Sequence, residues 1–232
     1  MDEGGRRMRA WRWWATSIEV AAVAGVVSAI AWSVSLRGLL DRPGIDATRD
    51  EIARFYTSAD ANRGIGVYLA LMVVGTVAYL WFVGVVRGRL GQHEARLVAT
   101  VFLGGSVLLT GLMLVAASLL AAPSLLIEVG GQIPDPGATA LIRTVAAVLI
   151  SLFTTRVATL VMFSTASLGR QTGALPTWLI VVTLVVGAFE FVNVTIAEPS
   201  LYLFPAWIAL VSVVLFVRRP GEGADAPGAI RR

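Results

Sequence analysis

The chain has 232 residues, 56% hydrophobic and only 15% charged, with a mean hydropathy of +0.77, whereas water-soluble domains carry roughly 25% charged residues. A soluble fold could not bury that much apolar surface. Its 19 basic residues, all Arg, exceed 15 acids and give a pI near 10.3, but most flank apolar stretches and form no soluble basic face, which argues against nucleic acid as a partner.

Taken in order, residues 1–14 interleave Arg6, Arg7, Arg9 and Arg12 with Trp11, Trp13 and Trp14, a basic and aromatic anchor of the kind that sits at the cytoplasmic interface. A first span is expected over 15–36. Ala29-Ile30-Ala31 has the small-x-small form of a signal cleavage site, but the apolar run continues past it, so the span is read as retained. Within it Ala21, Gly25, Ala29 and Ser33 recur every four residues and would let another helix approach closely. Glu19, one turn inside, reads as an end-of-helix carboxylate that reaches water or a nearby Arg.

Residues 37–64 form the longest polar loop, with five Arg balanced by five acids. Thr48 and Glu51 have capping-box spacing, and Ile52, Phe55, Tyr56 and Ala59 follow at helical intervals. The pattern predicts a short amphipathic helix on the outer surface that covers the bundle mouth or acts as a lid. A second span follows over 65–86. The loop after it holds the only His, and His93-Glu94 lacks the second His of a zinc-protease motif.

Further spans are expected over 97–122, 141–168, 177–197 and 201–217, with a Gly-, Pro- and charge-rich tail, 218–232, expected to be disordered. The fold class is therefore an all-α membrane protein, a bundle of six transmembrane helices with one short amphipathic helix in the first outer loop. Twelve Arg lie on the parts this topology places in the cytoplasm and five on the outer loops, so both termini are expected inside, at a bacterial inner (plasma) membrane.

Two charges fall where hydrocarbon is expected, Arg156 in the fourth span and Glu190 in the fifth. Each would cost about 2.5–3.5 kcal/mol facing lipid on insertion scales, so both are expected to face inward. Ser151, Thr155, Arg156 and Thr159 make one polar stripe, and Thr183, Gly187, Glu190 and Asn193 make another. The candidate ligand or proton site is accordingly Arg156, Glu190, Asn193, Thr159 and Thr155. Two readings of it stand: a buried ion pair that fixes how the two helices pack, or a site where Glu190 exchanges a proton and Arg156 binds an acidic solute.

No P-loop, GxGxxG, HExxH or GxSxG motif is present, and without Cys there is no thiolate metal site, so no catalytic residue, metal or cofactor is assigned. Asn193-Val194-Thr195 matches a glycosylation acceptor but lies in an expected span. The function expected is binding or transport of a small or lipid-like ligand through the polar interior. The alternative is a non-catalytic membrane subunit or scaffold, with another membrane protein or a second copy as partner besides the bilayer.

Gly173-Ala174-Leu175-Pro176-Thr177-Trp178, followed by a span and then Phe204-Pro205-Ala206-Trp207, resembles a family of actinobacterial integral membrane proteins known as a domain of unknown function. The resemblance covers most of the chain as a pattern of spans, and implies a polytopic fold of about six or seven helices. It implies no activity and no site residues.

Overall fold

The computed structural model describes residues 3–43, 47–58, 64–90, 96–132, 134–193 and 198–217. Helix α1 (Glu3–Leu40) is followed by the short α2 (Arg49–Thr57), then α3 (Ile65–Leu90) and α4 (Arg96–Gly130). Next, α5 (Pro136–Val148) runs through a π-helical turn (Leu149–Thr154) into α6 (Thr155–Thr172). Helix α7 (Thr177–Val192), a 3₁₀ turn (Glu198–Tyr202) and α8 (Leu203–Val217) complete the described chain. The tail 218–232, the His93 loop, and Ala59 of the amphipathic pattern lie outside the described residues.

Five stretches are long and apolar enough to cross a membrane: Glu19–Leu40, Ile65–Arg87, Leu97–Gly130, Pro136–Thr172 and Ser200–Val217. The expected fifth span, α7, is apolar but has only 16 residues, about 24 Å at 1.5 Å per residue against roughly 30 Å of hydrocarbon. The described residues therefore offer five helices of full spanning length and one short apolar helix.

Helix boundaries differ from expectation where local chemistry outweighs composition. The third expected span stops before Pro123, yet α4 continues two turns beyond it, because packed neighbours in a membrane bundle compensate a proline's missing N–H. It ends at Gly131, in the left-handed region at φ 61°, whose N–H bonds Ile127 O while Gln132 N–H reaches back to Leu126 O. Helix α5 starts five residues earlier than expected, at an Asp135 N-cap that accepts from Ala138 N–H at 2.8 Å, with Pro136 in the first turn.

Helix α1 packs between α3 and α8, α4 bridges α3 and α6, and α7 lies against α6 with only light contact to α8. Small residues set these approaches. Ala21, Gly25 and Ala29 of the four-residue stripe are buried, and Gly25 abuts Ser212 of α8 and Phe82 of α3. A ring cluster fills the middle, with Trp32 at 5.0 Å from Tyr79 and Phe204 at 5.4 Å from Trp207. Glu19, by contrast, is exposed; it lies within α1, not at its end, at the start of the stretch long and apolar enough to cross a membrane.

Helix α2 carries the capping box read from the sequence. Glu51 N–H donates to Thr48 Oγ1 at 3.3 Å, and Thr48 N–H donates to Glu51 Oε2 at 2.8 Å. Its Ile52 and Tyr56 are buried against α4 and α5. The Thr48 backbone N–H, aided by the Thr48 hydroxyl, holds the Glu51 carboxyl below the usual range. The cap's contribution to α2 is thus full above the ordinary Glu pKa and lost as pH falls through the lowered folded value. Hydrogen exchange of the α2 amides, corrected for intrinsic rates, should quicken through that acid window in the wild type and show no such step in Glu51→Gln.

Candidate functional site around Glu190

The polar stripe of α7 is real. Leu179, Thr183, Gly187 and Glu190 are its buried residues, while Trp178, Val181, Val185 and Phe189 face outward, the division that a 3.6-residue period imposes on an amphipathic helix. Each of the middle two positions of the stripe meets a neighbouring helix. Trp207 Nε1 of α8 donates to Thr183 Oγ1 at 2.9 Å, and Thr159 Oγ1 of α6 donates to Gly187 O at 3.3 Å. That second contact needs the glycine, since a Cβ at 187 would stand 2.7 Å from the Phe163 ring.

Glu190 is 3% exposed and its Oε1 is buried with no hydrogen-bond partner. It lines a partly open cavity of about 30 Å³, whose wall also includes Trp32, Thr154, Thr155, Ser200 and Phe204. A cavity of this size holds two or three water molecules, each needing about 10–15 Å³ of this measure. Among the described residues that line this small, mostly apolar chamber, Glu190 alone carries an ionisable carboxyl group.

The π-helical turn shapes one wall. A π turn inserts one extra residue into the helix and so rotates the next turns by about 100°. Here it brings Ile150, Thr154, Thr155 and Ala158 onto the cavity. Its looser backbone is bridged by side chains: Thr154 Oγ1 donates to Leu149 O at 2.9 Å, and Thr155 Oγ1 donates to Ser151 O at 2.6 Å.

Arg156 belongs to that same repair. Its Nη1 donates to Ser151 O at 2.7 Å and to Thr155 Oγ1 at 2.9 Å. No hydrogen bond or ion pair joins Arg156 to Glu190, so the two charges sit in one region of the bundle without a direct contact. The buried ion pair considered from the sequence is not formed. The reason is local: a long Arg side chain beside a π turn finds main-chain and hydroxyl acceptors on its own helix, at less cost in ordering than reaching across to α7.

Of the five residues singled out from the sequence, Thr155 and Glu190 meet at the cavity. Thr159 lies one turn deeper and ties α6 to α7, Arg156 braces the π turn, and half-buried Asn193 follows the end of α7, its N–H bonded to Phe189 O at 2.8 Å. Among the wall residues outside that set are Trp32, Thr154 and Ser200. The run Ser151-x-x-Thr154-Thr155 was the available signal, since adjacent helix-interior hydroxyls that bond main-chain carbonyls often accompany bends.

Compared with protein-family models, curated proteins and solved structures, the chain matches none. What defines it is its own architecture: a multi-pass helical membrane protein whose bundle encloses an unpartnered carboxyl oxygen on a small cavity.

Proposed function

We propose that the protein binds a small polar species in the bundle interior, with Glu190 as the group that takes up and releases a proton. One observation carries this reading: a carboxyl oxygen buried without a partner on a water-sized cavity beside a π turn. Buried carboxylates that serve only packing are paired, because an uncompensated charge in low dielectric is strongly unfavourable. Distortions of the π type are also frequent at functional sites. In this state the cavity suits water or a proton-carrying species. A larger or lipid-like ligand would need α7 to shift, and α7 rests on α6 with little support from α8. We take the full topology to be six membrane passes, with α7 as a short fifth pass and both termini cytoplasmic.

The test is infrared pH-titration difference spectroscopy on the full chain in nanodiscs, with wild type and Glu190→Gln compared. A carboxyl band that titrates in the wild type and is missing from a folded Glu190→Gln variant is the expected result. No Glu190-dependent band in the wild type would return the site to a structural role.

A further inference from the structure

We propose that Arg42 and Arg143 form a second binding site, distinct from the Glu190 cavity, that holds one anionic group of the phosphate or sulfate type beneath α2. Arg42 lies just past the end of α1, and Arg143 lies two turns into α5. They are 9% and 6% exposed. Arg143 Nη2 donates to Arg42 O at 3.4 Å, so the two side chains and the α1 terminus belong to one cluster. Ser124 of α4 joins it by accepting from Arg42 Nη1, and Arg42 Nε makes a long bond, 3.5 Å, to Gly38 O.

The cluster is not self-sufficient. Nε and Nη1 of Arg143 are buried with no hydrogen-bond partner, and among the described residues no carboxylate forms an ion pair with either guanidinium. Two buried like charges without a counter-charge are costly, and buried guanidinium donors left unbonded add to that cost. Burial holds Arg42 below its ordinary value, with Arg143 acting in the same direction and the Tyr56 phenol partly opposing it. An oxyanion repairs both defects at once. It supplies negative charge and several acceptor oxygens, and guanidinium groups are the side chains best matched to it.

The cluster lies at one end of the bundle, beneath α2. Helix α2 packs across α4 and α5 there, placing buried Tyr56 beside Arg42. From Arg143 to Thr154 of the cavity wall is eleven residues, about 16 Å along the helix, so the two sites are separate. At the end of spanning helices the anion could be the phosphate of a lipid headgroup or a free oxyanion, which share the chemistry recognised.

The experiment uses the full chain, delipidated in uncharged detergent, and tracks its melting with phosphate, sulfate or phosphatidylglycerol added. Chloride at equal ionic strength and neutral diacylglycerol are the controls. A saturable rise in melting temperature over the controls is expected in the wild type and is expected to vanish in Arg143→Gln. A rise with phosphate or sulfate alone identifies a free oxyanion, and a rise with phosphatidylglycerol alone identifies a headgroup. If no anion exceeds its control, or if Arg143→Gln keeps the shift, the site does not exist. Should Arg143→Gln fail to fold, native mass spectrometry of the wild type decides. A one-to-one phosphate or phosphatidylglycerol adduct that exceeds the diacylglycerol control supports the site, and the lack of one overturns it.

Discussion

Gly25→Leu is expected to lower stability by about 1–3 kcal/mol, the usual cost of overpacking a close-packed interior, and to loosen α8 from α1. A side chain at 25 would run into the hydroxyl of Ser212 and come within 2.9 Å of the Phe82 ring. Ser212 is fully buried on α8 and Phe82 is buried on α3, so neither can move aside without displacing its helix. Between helices in lipid, association rests on van der Waals contact and polar bonds rather than on escape from water. A few tenths of an ångström of separation along α1 and α8 therefore cost more than they would in a loosely packed loop. Gly111→Leu is the control. Gly111 is exposed on α4 and a Cβ there meets nothing within 4 Å, so that change should be neutral or slightly stabilising, since Leu is the better helix former. Unfolding of both variants in mixed micelles of rising denaturing-detergent content measures the difference. Equal losses would show that the α1 to α8 seam is not set by the glycine.

Residue pattern made much of this architecture legible, for physical reasons that hold residue by residue. Apolar length alone marks helices in a bilayer, because a spanning segment must satisfy every backbone group within itself. Thr183, Gly187 and Glu190 could be placed on one buried face because α7 is a regular helix, and its 3.6-residue period survives in the sequence. The capping box of Thr48 and Glu51 was legible because it is a purely local bond pattern. The π turn was not. A single inserted residue leaves no gap in hydropathy, yet it turns Thr154 and Thr155 toward the cavity and gives Arg156 acceptors on its own helix. The meeting of Arg42 with Arg143 was not legible for another reason. They are 101 residues apart in sequence, and only the return of α5 alongside α4 and the end of α1 brings them together. Helix α7 ends at Val192 with Asn193 as its C-cap, a boundary that composition does not determine.

Trp32→Ala is expected to be the most damaging single change in the bundle, with a loss of about 3 kcal/mol, the lower end of the range of about 3–5 kcal/mol for Trp-to-Ala changes in water-soluble cores. Trp32 is 0% exposed, stands 5.0 Å from Tyr79 and 6.4 Å from Phe204 by ring centroids, and donates from Nε1 to Thr76 Oγ1 at 3.3 Å. In a soluble core part of the loss is transfer from water and part is the cavity left behind. In a bilayer the transfer part largely disappears between helices, which is why the lower end applies. Trp32→Phe keeps the ring contacts and gives up only the bond to Thr76, an interhelical bond of a kind that averages about 0.6 kcal/mol in membrane proteins. The two losses of unfolding free energy should therefore differ several-fold, and a similar loss for both would mean that the hydrogen bond rather than the packing matters. The substitution also bears on function, because Trp32 walls the cavity on which Glu190 opens. With the indole gone the chamber grows from water-sized to one that holds a small apolar guest, and benzene or xenon should restore part of the lost stability of Trp32→Ala while leaving the wild type unmoved. Rescue of that kind would locate the Glu190 chamber directly and show that the Trp32 ring, rather than the carboxyl group, sets the size of what it admits.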